Sequence, residues 1–168
     1  MIEPLTELRP KIMKIFEHLH ANPEVSFEEY NTTVYIERVL QEAGYTPHRF
    51  KNCTGLYVDV GSGAPFIGLR ADMDALWQEV DGVFKANHSC GHDGHMTMAL
   101  GSLLLLKELP QNWQGTIRVI FQPAEEKGLG ALAVLKEGVI DDLSYLFGVH
   151  VRPVEELSDG TYCGALYH

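Results

Sequence analysis

The feature that most constrains the fold is the alternation of short apolar, β-prone runs with segments of helical periodicity. Apolar residues fill the runs 116–121 and 145–151, and the segment between them, 128–137, has a helical pattern closed by a glycine. The strongest helix prediction covers residues 93–109, directly before a break at Pro110. Strands that alternate with helices in this way predict an α/β sandwich around a mixed, mostly parallel central sheet.

The N-terminal segment is predicted to form two helices. Apolar residues at helical spacing define the first helix, which ends before Asn22 and Pro23. The second helix is predicted to begin near Ser26 and to stop at Gly44, because glycine commonly closes helices. Its predicted apolar face consists of Tyr30, Val34 and Leu40.

The segment after these helices is predicted to hold short strands. Residues 55–60 and 65–69 are β-prone, and the glycine-rich residues 61–63 between them predict a hairpin or a tight connection. Residues 70–88 are polar and are predicted to form a loop. One more strand is predicted at 161–167, and the chain stops inside this run.

The composition of the chain argues against some classes of binding partner. The chain has 168 residues, and its 13 Lys and Arg against 23 Asp and Glu give a formal charge of -10. A surface this acidic repels nucleic-acid phosphates and anionic lipid, so neither nucleic acid nor membrane is expected as a partner. No apolar run is long enough to span a membrane, and no signal-peptide pattern opens the chain. Three distant cysteines do not form a disulfide framework, so the expected compartment is the reducing cytoplasm.

The densest group of candidate ligands lies in residues 87–95, which contain three histidines and one cysteine. Gly91 separates Cys90 from His92 and allows a backbone conformation in which both side chains face one point. The segment also opens a predicted helix, whose N-terminus favours the thiolate form that binds metal. The alternative interpretation is a buried cysteine with a capping Asp93 and surface histidines.

Acidic residues follow two of the predicted strands. Glu125 and Glu126 come directly after the strand at 116–121, and one of them is suited to bind a metal while its neighbour acts as general base. Asp72 and Asp74 leave another apolar strand and face the same side of an extended backbone. They are therefore suited either to bind metal or to accept a hydrogen bond from a ligating imidazole.

The candidate groups indicate a functional site because of the position that they share. His150 ends the apolar strand predicted at 145–151, so every group either follows a predicted strand or opens the helix after one. That edge of an α/β sheet is where sites form. Cysteine, histidine and glutamate ligands beside a further carboxylate suit Zn²⁺ or a similar ion. The residues therefore predict metal-assisted hydrolysis.

A competing hypothesis is a cysteine hydrolase. Cys90 would be its nucleophile, with His92 or His95 as the base. The pair of glutamates and His150 have no role in such an enzyme.

Five motifs occur in order along the chain: HANPE at 20–24, RADMDAL at 70–76, SCGHDGH at 89–95, FQPAEE at 121–126 and GVHV at 148–151. Together they resemble the metal-dependent amidohydrolases of the aminoacylase and carboxypeptidase superfamily, in the branch of hippurate hydrolases, auxin-conjugate hydrolases and N-acyl amino acid deacylases. The resemblance covers essentially the whole chain and implies a zinc-exopeptidase-like sandwich. The implied reaction is metal-dependent hydrolysis of the amide bond of N-acyl amino acids or similar small amides.

The resemblance also implies roles for individual residues. The residues that match ligands of a dinuclear site for Zn²⁺, Mn²⁺, Co²⁺ or Ni²⁺ are Cys90, His92, Glu126 and His150, with Cys90 as the bridge. Glu125 matches the general base, which takes a proton from the attacking water and passes it to the departing amine. Asp74 is counted with Glu125 as catalytic, and the residues expected to support the site are Asp72, Asp93 and His95.

Members of this family are longer than the chain. They continue into an inserted lid that supports dimerisation, and then return to the catalytic domain with one more histidine ligand. Residues 1–168 are therefore expected to be the N-terminal portion of the catalytic domain, with a sheet incomplete at its C-terminal end. The full-length form is expected to be a homodimer through the lid. The alternative is a catalytically incomplete metal-binding fragment that needs its C-terminal half.

Overall fold

The structure is a computed structural model that describes residues 2–164. Within these residues the helices are α1 (Ile2–Ala21), α2 (Tyr30–Glu42), α3 (His92–Glu108) and α4 (Gly130–Lys136). The strands are β1 (His48–Arg49), β2 (Leu56–Ser62), β3 (Phe66–Asp72), β4 (Leu76–Val80), β5 (Val83–Asn87), β6 (Gly115–Gln122) and β7 (Leu143–Gly148). The sequence predicts the helices α1, α3 and α4 and the strands β2, β3, β6 and β7.

The central sheet has the strand order β1-β2-β6-β3-β7. β3 runs parallel to its neighbours β6 and β7, whereas β2 runs antiparallel to β6 and to β1. The α/β fold around a mixed sheet is therefore confirmed. Because parallel strands end at the same edge of a sheet, the residues that follow β3, β6 and β7 meet there.

Residues 61–63 predict either a hairpin or a tight connection, and strands β2 and β3 have the tight connection, residues 63–65, without pairing as a hairpin. β6 lies between them, and its Val119 pairs with Val58 of β2 on one side and with Leu69 of β3 on the other. β6 is buried along nearly its whole length. Such an apolar strand gains most from a central position with a neighbour on each side, which local turn signals do not reveal.

Residues 70–88, predicted as a loop, contain a hairpin. β4 and β5 pair antiparallel in a two-stranded sheet of their own. Asp81 and Gly82 form the turn, with φ angles of 54° and 80°. An Asp-Gly pair between short strands is a strong hairpin signal, so the prediction of a loop is wrong. The hairpin links the end of β3 to the segment that contains Cys90.

The second helix begins at Tyr30 rather than near Ser26, which lies in the preceding turn. The reason is a side-chain cap supplied from further upstream. The carboxylate of Glu24 accepts hydrogen bonds from the backbone amides of Asn31 (3.1 Å) and Thr32 (2.7 Å). These amides belong to the first turn of α2 and have no partner inside the helix.

The helices α1, α2 and α3 cover one face of the sheet and form the main core with β2 and β6. Ile36 and Leu40 of α2 are buried in this core. Tyr30 and Val34, predicted on the same apolar face, are exposed. A smaller core lies on the opposite face of the sheet, under α4.

The strand predicted at 161–167 is absent from residues 161–164, and residues 165–167 lie outside the described part of the chain. Within residues 2–164, no helix has both the length and the apolar character needed to cross a membrane.

Candidate metal centre

The predicted site residues meet at the carboxyl edge of the parallel strands. β3 ends at Asp72, β6 at Gln122 and β7 at Gly148, and α3 begins beside them at His92. The acids, the cysteine and the histidines selected from the sequence therefore come from four separate parts of the chain. Their side chains converge on His92, which is fully buried.

The imidazole of His92 is held in one orientation. Its Nδ1 lies 2.8 Å from the backbone carbonyl oxygen of Asp74 and donates a hydrogen bond to it. Its Nε2 is buried and has no hydrogen-bond partner among the described residues. Three carboxylate oxygens surround this nitrogen, those of Asp72 (3.6 Å), Glu125 (3.6 Å) and Glu126 (3.7 Å).

These distances fit a shared cation better than direct hydrogen bonds. A separation of 3.6 Å is too long for an N–H···O hydrogen bond, whereas a metal ion bonded at about 2 Å to each partner spans it. Burial alone lowers the pKa of His92, but interactions with the neighbouring Asp74 and Cys90 and the charge of Asp72 outweigh burial and raise it to about 11. The carboxylates around His92 therefore favour a positive charge at this position, and the residues of the cluster fit a divalent metal.

Cys90 joins this cluster from the segment before α3. Atoms of Cys90, His92 and Glu126 that are able to bind a metal lie within 4.8 Å of one another. Gly91 between the first two has a φ of 86°, a left-handed conformation that favours glycine. This geometry is the one that the Cys-Gly-His spacing predicts.

A second group of metal-binding atoms also includes His92. It consists of Asp72, His92, His95 and His150, again within 4.8 Å of one another. The ring of His150 packs edge-on against those of His92 and His95, with centroid distances of 5.5 Å and 4.6 Å. All four predicted ligands thus lie in one of the two groups, and His92 belongs to both.

Asp74 connects the two acids that follow β6 to the rest of the site. Its Oδ1 accepts a hydrogen bond from the backbone amide of Glu125 (2.9 Å), and its Oδ2 accepts one from the amide of Glu126 (3.0 Å) and one from the hydroxyl of Ser26. Burial raises the pKa of Asp74, but hydrogen bonds from His92, Ser26 and the two amides lower it to about 2. Asp74 is therefore an anion at neutral pH and fixes the backbone of both glutamates.

Asp72 is held by a cation and a histidine. Its Oδ2 accepts a 2.6 Å hydrogen bond from Nη1 of Arg70, and its Oδ1 accepts one from Nδ1 of His95. Burial opposes ionisation, but the bond from His95 and the charges of Arg70 and His92 lower the pKa of Asp72. Asp72 lies 3.6 Å from Nε2 of His92 and accepts a hydrogen bond from His95. Its position is therefore compatible with both roles that the sequence offers, which are to bind metal and to accept a hydrogen bond from an imidazole.

Glu125 and Glu126 differ in exposure. The Glu125 side chain is 37% exposed and that of Glu126 is 26% exposed. Burial, followed by the negative charges of Glu125 and Asp74, raises the pKa of Glu126 despite the opposing charge of His92. Glu125 also lines a cavity of about 420 Å³ at the sheet edge.

Asp93 belongs to neither group of metal-binding atoms in the described chain. Its Oδ2 lies 2.6 Å from Nδ1 of His20 at the end of α1. This hydrogen bond joins the end of α1 to the start of α3. The contacts of Asp93 therefore tie two helices together beside the site.

Two further buried residues, Ser26 and Glu29, support the site although the sequence alone does not reveal them. Ser26 donates to Asp74. The carboxylate of Glu29 accepts hydrogen bonds from the hydroxyl of Thr54 and from the backbone amide of Ala124 (2.9 Å), directly before the glutamate pair. The sequence predicts a helix that begins near Ser26, which places both residues in its first turn, and no local signal distinguishes them from ordinary capping residues.

The arrangement around Cys90 does not favour a cysteine nucleophile. Nδ1 of His88 lies 3.9 Å from Sγ of Cys90, and burial lowers the pKa of His88 to about 4. A base this weak does not deprotonate a thiol efficiently. His95, one of the two bases considered, is bonded at both of its nitrogens to Asp72 and Val151.

Comparison with known proteins identifies the family. Residues 68–163 match the model of peptidase family M20/M25/M40, and this stretch is more than half of the chain. The chain belongs to peptidase family M20/M25/M40. The family predicted from the five ordered motifs is thereby confirmed.

Two curated relatives in this family are hydrolases. IAA-amino acid hydrolase ILR1-like 4 of Arabidopsis thaliana is 42% identical over 145 residues, which cover 82% of this chain and 33% of the relative. N-acetyl-L-cysteine deacetylase of Bacillus subtilis (strain 168) is 40% identical over 158 residues, which cover 89% of this chain and 38% of the relative. The chain thus spans between 33% and 38% of the length of these two relatives.

A solved M20 structure has the same fold. The crystal structure of the Bacillus subtilis YXEP protein, described as a dinuclear metal binding peptidase, superposes with a TM-score of 0.81 at 35% identity. The match covers 88% of this chain and 44% of that protein. The expected α/β sandwich is therefore confirmed at the level of the fold.

Proposed function

We propose that the chain supplies the metal centre of an enzyme that hydrolyses the amide bond of N-acyl amino acids or similar small amides. The observation that carries the proposal is the approach of Glu125 and Glu126 to the same buried nitrogen of His92, at 3.6 Å and 3.7 Å. Two acids beside one metal-binding nitrogen can divide the work, one as ligand and one as base. The similarity to a deacetylase and to an amino acid conjugate hydrolase supports the substrate class.

The residues proposed to hold two divalent ions, Zn²⁺, Mn²⁺, Co²⁺ or Ni²⁺, are Cys90, His92, Glu126 and His150. Support comes from the two groups of metal-binding atoms that meet at His92 and from the dinuclear site described for the similar YXEP protein. Metal bound here would lower the pKa of water and polarise the amide carbonyl.

Glu125 is proposed as the general base. Its partly exposed carboxylate is accessible to water and faces a cavity of about 420 Å³, which has room for a small substrate. The carboxylate takes the proton of the attacking water and later passes it to the departing amine. Asp74 is proposed to assist by holding the backbone of Glu125, so that the base keeps its distance from His92.

Residues 1–168 are proposed to be the N-terminal portion of the metallohydrolase catalytic domain. The support is the partial coverage of the two curated relatives, between 33% and 38% of their length. Further parts of the complete enzyme would then contribute to substrate binding and turnover. A chain that binds metal without turnover would fit this proposal, because residues outside the described site would be needed for catalysis.

The test is hydrolysis of N-acetyl and N-benzoyl amino acids with added Mn²⁺, Co²⁺ or Zn²⁺, with and without a chelator. Glu125→Gln is expected to abolish turnover while metal stays bound, because the variant removes the base and keeps every proposed ligand. The matched control is Glu17→Gln, which removes the same charge from an exposed position on α1. Turnover that survives chelation, or that persists in Glu125→Gln, would contradict the proposal.

A further inference from the structure

We infer that His95 is not a metal ligand but a positioning residue, which fixes His150 by accepting a hydrogen bond from the backbone amide of Val151. Proximity alone would allow His95 to bind metal, because Asp72, His92, His95 and His150 offer atoms within 4.8 Å of one another. The hydrogen bonds of the three rings separate their roles. The inference rests on the metal centre proposed above.

His92 and His150 have the hydrogen bonds of metal-binding histidines. Nδ1 of His92 donates to the carbonyl oxygen of Asp74 (2.8 Å), and Nδ1 of His150 donates to that of Val151 (2.7 Å). A carbonyl oxygen only accepts, so each ring carries a proton on Nδ1. Nε2 is then directed away from that bond, and a metal that binds there replaces any proton on this nitrogen.

His95 is bonded at both nitrogens. Its Nδ1 donates to the carboxylate of Asp72, which also accepts a hydrogen bond from Arg70. Its Nε2 lies 2.9 Å from the backbone nitrogen of Val151. A backbone N–H only donates, so the lone pair of Nε2 is already used. A metal at this nitrogen would have to displace the amide of Val151.

The bond to Val151 orients His150 because the two residues share a peptide plane. Both lie after the end of β7, in a segment without strand hydrogen bonds. The side chain of Val151 is also close to Gly91, where an added Cβ would lie 2.2 Å from Cγ2 of Val151. His150 is therefore placed beside His92 by two contacts of Val151 and not by secondary structure. These contacts are the hydrogen bond from the Val151 amide to His95 and the packing of the Val151 side chain on Gly91.

The first test is nuclear magnetic resonance of the chain with isotope-labelled histidine. In the metal-free chain, His95 is expected to carry its proton on Nδ1 and to have an unprotonated Nε2. After loading with a spin-active cadmium isotope, scalar coupling to cadmium is expected at nitrogens of His92 and His150 and not at His95. A cadmium coupling at His95, or a proton on its Nε2, would overturn the inference.

Two variants separate the two bonds of His95. His95→Gln places an acceptor near the position of Nε2 and can retain the bond to Val151, whereas His95→Asn places a donor near Nδ1 and retains only the bond to Asp72. His95→Asn is expected to weaken cadmium binding by about 10- to 100-fold, the usual effect of losing a residue that orients a ligand. His95→Gln is expected to lose less affinity and to keep the cadmium coupling at His150.

The outcomes distinguish this inference from the proposed function. Equal losses in His95→Asn and His95→Gln, or an unchanged coupling at His150 in His95→Asn, would overturn the positioning role and leave the metal centre intact. A chain that takes up no metal would contradict the proposed metal centre instead. The protonated nitrogen of His95 in the metal-free chain would still decide whether Val151 donates to it.

Discussion

The backbone amide of Glu125 donates a 2.9 Å hydrogen bond to Oδ1 of Asp74, and the next amide, that of Glu126, donates to Oδ2 at 3.0 Å. One buried carboxylate therefore fixes the backbone of both acids that approach His92. Ala124, directly before them, has a φ of 51°, a left-handed conformation that costs a non-glycine residue about 1–2 kcal/mol. The two bonds to Asp74 help to hold this turn.

Asp74→Asn is expected to destabilise the fold and to loosen the glutamate pair. An amide side chain has one acceptor oxygen, so one of the two backbone amides is left without a partner. The expected loss is about 1–3 kcal/mol in the free energy of unfolding, the cost of an unsatisfied buried donor. Urea unfolding at neutral pH measures it, with the exposed Asp159→Asn as control. Wild-type stability in Asp74→Asn would contradict the assigned role.

The free energies of unfolding of wild type and Asp74→Asn are expected to depend differently on pH. The pKa of Asp74 is lowered from 3.8 to about 2, so its ionised form stabilises the fold above the unfolded value. That contribution is lost as the pH falls through the folded value. The stability difference between wild type and Asp74→Asn is therefore expected to be largest near neutral pH and to shrink as the pH falls from 3.8 towards 2. Urea titrations across this range would contradict the assignment if the difference grew instead.

The parts of the fold that follow from local pattern were predictable, and the parts that depend on distant pairing were not. Helix α3 and strand β6 have strong periodicity and lie where the sequence predicts them. The place of β6 between β2 and β3 depends on pairing across the sheet, which no turn residue encodes. The β4–β5 hairpin had a local signal, Asp81-Gly82, that the polar character of the segment concealed.

The site also has parts that the sequence predicts and parts that depend on distant residues. The convergence of Cys90, His92 and the glutamate pair follows from strand ends that share one edge, so spacing and topology suffice to predict it. The role inferred for His95 depends on a backbone amide contributed by Val151, from a distant part of the chain. A side-chain pattern does not contain backbone donors, so the sequence predicts only a general supporting role for His95.

Glu29→Gln is expected to gain stability relative to wild type as the pH rises. Burial raises the pKa of Glu29 above 4.5, although hydrogen bonds from Thr54 and Ala124 oppose the shift. The folded state then binds the proton more tightly, so wild-type stability falls as the pH rises from 4.5 through the raised value. Glutamine does not titrate, and it can accept from the Ala124 amide while it donates to Thr54.

The matched control for Glu29→Gln is its exposed neighbour, Glu28→Gln. Denaturant unfolding between acid and neutral pH is expected to show a stability difference from wild type that changes with pH for Glu29→Gln and stays flat for Glu28→Gln. Parallel behaviour of the two variants would show that burial of Glu29 does not penalise its charge.

Gly91→Ala is expected to destabilise the chain and to weaken metal binding. Gly91 has a φ of 86°, and a Cβ there would lie 2.2 Å from Cγ2 of Val151. The conformation alone costs alanine about 1–2 kcal/mol, and the clash displaces the segment that carries His150. Gly94→Ala is the control, because nothing lies within 4 Å of its added Cβ. Within a helix this change is expected to be neutral or stabilising. Equal effects of the two substitutions in urea unfolding would contradict this account.

Zn²⁺ is expected to stabilise the chain through Cys90. A ligand that binds only the folded state adds about 2.7 kcal/mol to the free energy of unfolding at roughly a hundred times its Kd. Cys90→Ser is expected to lose most of this gain, because a neutral hydroxyl replaces the thiolate that Zn²⁺ prefers. Cys163→Ser, at an exposed position, is expected to retain it. Thermal unfolding with and without Zn²⁺ measures the gain. If both serine variants gained as much as wild type, the bound ion would lie elsewhere, and the group formed by Cys90, His92 and Glu126 would not be its site.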